Sequence, residues 1–294
     1  MKIGLLTRNS KAWCSTQLVK AIKRRGLEPI CFRFPDLVAR ISCEPHITLD
    51  KGFDVLNALK ALVVRPIGRG SLDEIIYRLD LLRRMERGGV PIINSPSSIE
   101  KAVDKYYALT LLEENDLPVP RTVIAEDPKK ALKAFFELGC DVVVKPLFGS
   151  RGIGITRVSD AEVAHRIFRS LAFVHHVLYL QEFIPHGTKD IRAFVIGDRV
   201  IAAMNRIAEG WKTNISQGAK SASIKLSGEL EDLALKAART LGCEVAGVDI
   251  LEGPKRYFIN EINSQPGFKA LQSTTKVDVA GSIIDHVLNK FIIR

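Results

Sequence analysis

The stretch Gly247-Val248-Asp249-Ile250-Leu251, Glu252-Gly253-Pro254-Lys255-Arg256, Tyr257-Phe258-Ile259-Asn260-Glu261-Ile262-Asn263-Ser264-Gln265-Pro266-Gly267-Phe268 reads as a β-hairpin: two β-rich runs flank a Gly-Pro turn. Pairing Leu251 with Tyr257 sets Asp249 opposite Ile259 and diagonal to Glu261, and the period of two brings Glu261 and Asn263 to that same face. Two carboxylates and an amide oxygen inside apolar sequence are costly to bury unless a cation compensates them. An all-oxygen set suits magnesium, which takes one or two protein carboxylates and completes its octahedron with water and substrate phosphates. The plainer alternative is a solvated strand face with acids placed by chance. If magnesium binds, phosphate-binding groups are expected elsewhere in the chain.

Asp141-Val142-Val143-Val144-Lys145-Pro146 supplies the first of them. Lys145 ends a strongly apolar strand, where an unpaired ammonium loses hydration, so an anionic partner is expected. Directly behind it, Phe148-Gly149-Ser150-Arg151-Gly152-Ile153-Gly154-Ile155 is a Gly-rich loop opening into a strand, and backbone amides freed by glycine can approach phosphates. No Gly-Lys-Ser or Gly-Lys-Thr follows, which excludes a P-loop, and a dinucleotide fingerprint would open a helix.

Upstream, strands over 2–7, 28–34, 61–65 and 90–94 alternate with helices over 15–25 and 71–87, the pattern of an open parallel α/β sheet. Ligands bind at the carboxyl ends of such strands. Val63-Val64-Arg65-Pro66-Ile67-Gly68-Arg69-Gly70-Ser71 leaves a strand and enters a helix N-terminus, which makes Arg65 and Arg69 substrate-side candidates beside their reading as surface arginines. Asn94-Ser95-Pro96 breaks the chain before a helix whose Ser97-Ser98-Ile99-Glu100 opening predicts a capping box. The boundaries expected are therefore 1–94 for an open-sheet domain, 95–186 for a small α+β unit and 187–294 for a second α+β unit with the hairpin. Residues 208–221 show no apolar period and predict a mobile loop, whereas 229–241 and 277–291 predict helices.

At 294 residues, 46% hydrophobic and 26% charged, the composition is that of a globular protein of two or three units. No apolar run approaches a membrane span, and Met1 leads directly into a strand, so no targeting segment is expected. Five scattered cysteines and six histidines lack metal-ligand spacing, which favours a reduced, cytoplasmic protein. The charge of +10 lies largely on helix faces such as Lys20, Lys23, Arg24 and Arg25, without the aromatic interleaving of an RNA binder. A polyanionic small substrate, rather than nucleic acid or membrane, accounts for the rest.

Asp104-Lys105, Val144-Lys145-Pro146, the Gly149 to Gly154 loop, Gln181-Glu182-Phe183-Ile184, Asp190-Ile191-Arg192, Gly247-Val248-Asp249 and Glu261-Ile262-Asn263-Ser264-Gln265-Pro266-Gly267 together resemble an ATP-grasp ligase of the RimK-like group. The segments Val64-Arg65-Pro66-Ile67-Gly68-Arg69-Gly70 and Asn94-Ser95-Pro96-Ser97-Ser98-Ile99-Glu100-Lys101-Ala102 most resemble its archaeal members that add α-linked glutamate to tetrahydromethanopterin.

That resemblance implies ATP held between two α+β units, and two magnesium or manganese ions on Asp249, Glu261 and Asn263. ATP would meet Lys105, Lys145, Ser150, Arg151, Gly152, Gly154, Gln181, Glu182, Phe183, Ile184 and Asp190, with Lys105 and Lys145 on phosphates, Glu182-Phe183 at adenine and Asp190 at ribose. Arg206 would face the reacting carboxyl, and Arg65, Arg69, Arg192, Lys212 and Asn214 the acceptor. Lys212 stands where members that modify ribosomal protein carry arginine, and lysine lacks the bidentate fork. The resemblance also implies glutamate as the incoming amine and a dimer or tetramer. A deazaflavin coenzyme, a ribosomal protein tail or an amino-group carrier protein are the other acceptors it allows, and a non-catalytic nucleotide-binding regulator is the alternative outside the class.

Overall fold

The computed structural model describes residues 1–149 and 152–292. The first segment gives β1 (Lys2–Leu6), α1 (Trp13–Arg24), β2 (Glu28–Phe32), β3 (Val38–Ala39), β4 (Ile47–Leu49), β5 (Phe53–Asp54), α2 (Val55–Ala58), β6 (Leu59–Val64), α3 (Leu72–Arg87) and β7 (Ile92–Ile93). β2-β1-β6-β7 form the expected parallel sheet, and β3-β4-β5 a small antiparallel one. α1 presents Leu18, Ala21 and Ile22 to the core and stops at Gly26, whose φ of 71° is the left-handed conformation that glycine adopts without strain. α3 opens on a capping box of Ser71 and Glu74.

α4 (Pro96–Val103) and α5 (Lys105–Glu113) follow. The expected capping box over Ser97 to Glu100 does not form. Ser95 is the cap, its hydroxyl accepting from Ser98 N at 3.2 Å, because Pro96 lacks an N–H and fits the first helical position. Asp104 then interrupts the helix and caps α5, accepting from Tyr106 N and Tyr107 N at 2.9 and 3.1 Å. A second sheet, β10-β9-β11-β8, is antiparallel and comprises β8 (Thr122–Ala125), β9 (Val142–Lys145), β10 (Thr156–Val158) and β11 (Leu178–Glu182), covered by α6 (Pro128–Glu137) and α7 (Ala161–Phe173).

The third sheet, β14-β13-β12-β15-β16, consists of β12 (Lys189–Ile196), β13 (Arg199–Ile207), β14 (Lys220–Ile224), β15 (Val245–Glu252) and β16 (Tyr257–Asn263). α8 (Gly228–Thr240) packs on one face together with α4 and α5. α9 (Lys269–Thr275) and α10 (Val279–Phe291) close the chain. The predicted loop over 208–221 is shorter than expected, because Lys220–Ile224 joins the edge of this sheet opposite β13. An edge strand of small polar residues carries no apolar alternation to reveal it.

α1 and α10 join the first and third sheets, with Arg24 pairing Asp278 at 2.9 Å and Arg25 pairing Asp285 at 2.5 Å. Asn94 adds a buried clip. Its Nδ2 donates to the carbonyls of Val245, at 2.7 Å, and Ser264, and its Oδ1 accepts from Val245 N at 2.9 Å. Both open ends of the β15–β16 hairpin are thereby bonded to one side chain. Among the described residues no helix is long and apolar enough to cross a membrane.

Candidate active site

The hairpin register differs from the expected one. Glu252, not Leu251, pairs with Tyr257, and a β-bulge after Ile259 makes Asp249 directly opposite Glu261 rather than diagonal to it. The core explains the bulge. Ile259 and Ile262 both pack into the apolar layer beneath the sheet, and a regular strand cannot send residues three apart to one face. The extra residue leaves Asn260 and Glu261 both facing the cleft, while Val248 and Ile250 flank Asp249 from the core side.

The cleft between the second and third sheets is open to solvent and spans about 840 Å³ of empty space. Lys105, Lys145, Gly152, Gln181 to Ile184, Asp190, Arg206, Lys212, Asn214, Asp249 and Glu261 all line it. Gly154, Asn263 and Arg192 stand outside its lining, and Ser150 and Arg151 lie outside the described residues. Arg65 and Arg69 are not at this cleft either. Arg65 directly follows β6, yet its guanidinium is buried, donates to Pro266 O at 3.0 Å and lies over the Phe268 ring. Burial pushes its pKa down. Arg69 is exposed, with its carbonyl accepting from Arg78.

Among the described residues Lys145 does not have the anionic partner that its sequence position suggested. Its Nζ donates to two neutral oxygens, Gln181 Oε1 at 2.6 Å and Asn260 Oδ1 at 2.9 Å. Burial lowers its pKa to about 8, against the opposing pull of Glu261. Gln181 is oriented by its amide nitrogen, which donates to Thr122 Oγ1 and Tyr179 Oη at 3.1 and 3.2 Å. Lys105 Nζ donates to the carbonyls of Leu147 and Gly149, at 3.3 and 3.0 Å, and so ties α5 to the Gly-rich loop. Its pKa is also lowered by burial.

A charged row crosses the third sheet. Arg192 lies opposite Asp249 in the β12–β15 ladder and grips it with Nε and, at 2.6 Å, Nη2. Gly247 leaves room for this crossing, since a Cβ there would stand 3.1 Å from Arg192 Nη1. Arg206 lies opposite Asp190, binds it with Nε and Nη2, and reaches Asp249 at 3.0 Å. Burial acts to lower the Arg206 pKa, but Asp249 and Asp190 outweigh it and the net shift is upward. The same arginines overcome burial at Asp249 and hold its pKa down. Thr213 Oγ1 donates to Asp190 at 2.6 Å and fastens the 208–219 segment over the cleft.

At the other end Phe183 sits under the Arg157 guanidinium, 3.5 Å from its ring centroid, and meets the edge of Trp211 at 5.9 Å. Ile184, Leu251 and Phe258 form an apolar wall beside it. Glu182 turns to Arg121, accepting from its backbone N and Nε at 2.8 Å each. Sequence reasoning missed Asn260 and Thr213. The first was readable from two consecutive polar residues between isoleucines three apart; the second left no pattern.

Asp249, Glu261 and Asn263 share one side of the hairpin, and all three offer oxygen, the donor type of a hard cation. Among the described residues no cluster of three His, Cys, Asp or Glu occurs, so a cation here depends on the amide and on ligand oxygens as well. The donor set fits magnesium on those terms.

Residues 1–99 match the RimK PreATP-grasp domain and residues 102–287 the RimK-like ATP-grasp domain. The chain is 35% identical to the tetrahydromethanopterin:alpha-L-glutamate ligase of Methanosarcina acetivorans, across 98% of this chain and 99% of that one. It is 34% identical to the ligase of the same name from Methanococcus maripaludis, across 98% of each. The fold matches a solved structure of the ATP-grasp ligase PsnB complexed with minimal precursor at a TM-score of 0.76, with 22% identity over 98% of both chains. The paired sheets, the lysine-lined cleft between them and these likenesses across the whole chain lead to one conclusion: the chain belongs to the RimK-like ATP-grasp family of ATP-dependent, amide-forming ligases.

Proposed function

We propose that this ligase adds L-glutamate to an acceptor carboxylate by way of an acyl phosphate, and that the acceptor is a cofactor of the tetrahydromethanopterin type. The observation that carries the acceptor is the identity of 35% and 34%, over nearly full length, to two ligases of that name. The cleft supports the chemistry. Lys145 and Lys105 meet the phosphates, with Gly152 and Gly154 shaping the loop, and Phe183 with Ile184 receives the base. Asp190 has one carboxylate lone pair beyond its bonds to Arg206 and Thr213, enough for a ribose hydroxyl. Residues 1–94 carry the acceptor side in this reading, and 95–186 and 187–294 enclose the nucleotide.

An oxygen of the acceptor carboxylate attacks the γ-phosphorus, the bond to the β,γ-bridging oxygen breaks, and ADP leaves. The glutamate amine then attacks the acyl carbon, phosphate departs with the electron pair, and the amine proton passes to water or to that phosphate. Arg206 donates to the oxygen that gains charge. Lys212 and Asn214 on the cleft wall, and Arg69 at the parallel sheet, orient the acceptor; Arg192 joins them once it leaves Asp249. Asp249, Glu261 and Asn263 would hold two magnesium or manganese ions, which draw charge from the phosphoryl oxygens when bound. The exposed Leu72, Ile76 and Tyr77 of α3 support association of copies into a dimer or tetramer, which light scattering tests.

The deciding experiment incubates the protein with ATP, magnesium, glutamate and a panel of carboxylate acceptors, and follows ADP release and product mass. A glutamyl adduct on tetrahydromethanopterin is expected. Turnover with a deazaflavin coenzyme, a ribosomal tail or a carrier protein, and none with the pterin, would overturn the acceptor.

A further inference from the structure

Asn260 reaches Lys145 across the cleft, from the outermost strand of the third sheet to the second sheet. The bulge makes this contact possible, because in a regular ladder Asn260 and Glu261 face opposite ways. We propose that Asn260 is a positioning residue for Lys145, fixing the ammonium where the nucleotide phosphates arrive while leaving its charge uncancelled. The proposal rests on the reading of Lys145 as a phosphate-binding group.

An ammonium has three N–H donors and no acceptor. Two of those of Lys145 are taken by amide oxygens, and the third meets no acceptor among the described residues and can serve a ligand. Gln181 is held from the far side by Thr122 and Tyr179, and a flip of its amide would turn an NH2 group toward the ammonium, which has only donors. One acceptor alone would leave the long lysine side chain free to pivot about it. The second, Asn260, removes that freedom from the opposite wall. The charge of the partner matters as much as its place. A carboxylate at this position would neutralise the lysine and repel the phosphates, and an alkyl side chain would leave a buried N–H without an acceptor.

The same bulge aims Asn260 at the lysine and Glu261 at Asp249. The lysine and the carboxylates are thus located by one irregularity, and neighbouring residues on a single strand set the spacing between phosphate and carboxylate groups. Nothing about Asn260 as an isolated strand residue would show this.

The test measures ATP and ADP affinity by calorimetry for wild type, Asn260→Ala, Asn260→Asp, Lys145→Met and the double variant Asn260→Ala/Lys145→Met, each checked by thermal melt. Asn260→Ala should weaken nucleotide binding by roughly ten- to a hundredfold, the scale of one hydrogen bond to a charged group. The near-isosteric Asn260→Asp should weaken it further, although it retains the shape. In the Lys145→Met background Asn260→Ala should add nothing, because a residue that acts through the lysine has nothing left to act on. The KM for ATP should rise in Asn260→Ala with the acceptor KM unchanged, a split that a purely structural role would not produce. Full additivity in the double variant, or unchanged affinity in Asn260→Ala, would overturn the positioning role. Wild-type protein that binds no ATP would overturn the phosphate reading together with it, so the two failures are distinguishable. Should Asn260→Ala fail to fold, the Asn260→Asp comparison alone decides, since affinity equal to wild type in that variant also overturns the proposal.

Discussion

Arg206 Nε donates to Asp190 Oδ1 at 2.7 Å, and the two residues are also direct partners in the β12–β13 ladder. An ion pair whose backbones are already aligned by a sheet loses little freedom on forming. Because both side chains are buried, removing one partner is costly. Arg206→Ala should destabilise the protein by about 3–5 kcal/mol, the usual cost of leaving a buried charge unpaired. Adding Asp190→Asn should recover part of that loss in thermal melts. Turnover of the folded fraction should still fall by roughly a hundred- to a thousand-fold if Arg206 also serves the reacting carboxyl. A kcat within threefold of wild type would confine Arg206 to the fold.

The two carboxylates of the hairpin should respond differently to neutralisation. Their proximity alone suggests that removing either charge relieves repulsion. The structure gives Asp249 two arginine partners, whereas Glu261 forms no ion pair among the described residues. Asp249→Asn leaves Arg192 and Arg206 facing each other without their shared anion, so its melting temperature should drop. Glu261→Gln should melt at or above wild type in the absence of nucleotide. Both should abolish turnover. Equal melting temperatures for the two variants would contradict the ion-pair geometry.

The buried Lys145 gives nucleotide binding a definite pH dependence. Its pKa in the folded protein is about 8, below the ordinary 10.5. Between these values the unfolded chain holds the proton and the folded chain does not, so the penalty for burying the charge is present below pH 8 and disappears as pH rises through the window. Phosphate binding runs the other way, since only the ammonium attracts it. ATP affinity should therefore fall above about pH 8, by up to tenfold per unit, and Lys145→Met should flatten that slope. Calorimetry from pH 7 to pH 10 checks it, and a slope unchanged in Lys145→Met would assign the proton elsewhere.

Trp211 stands at the edge of Phe183, on the segment that Thr213 fastens to Asp190. With Trp13→Phe removing the only other tryptophan, nucleotide binding should change the Trp211 emission as the base enters beside Phe183. Thr213→Val should weaken this response and speed tryptic cleavage at Lys212 by freeing the segment. An emission spectrum indifferent to saturating ATP would place the base away from Phe183.

Much of this architecture was legible in the amino-acid order, because it rests on local rules. Helix α1 announces itself by period and by Gly26, and Lys145 by charge at the end of an apolar run. What escaped depends on relations between distant segments. Whether Arg65 projects over a crevice or folds down onto Pro266 is decided by a loop 201 residues away. The bulge at Asn260 arises from competition between the ladder and the core for Ile259 and Ile262, and a strict period of two does not anticipate it. Ser95 as helix cap was obscured because the adjacent serines offered an equally well-spaced alternative.

Asn94 has a consequence for how the sheets are held together. By bonding Val245 and Ser264 it prevents the hairpin from pivoting against the parallel sheet, and the ion pairs between α1 and α10 block the same rotation from the far side. The N-terminal sheet and the carboxylate-bearing sheet are therefore joined at both ends into one frame. The β8–β11 layer meets that frame across the cleft, where Lys145 Nζ donates to Asn260 Oδ1 at 2.9 Å. In that geometry the Lys145–Asn260 bond is the point at which the lysine is referred to the frame, so the same two-sheet unit that carries the hairpin carboxylates also locates the ammonium.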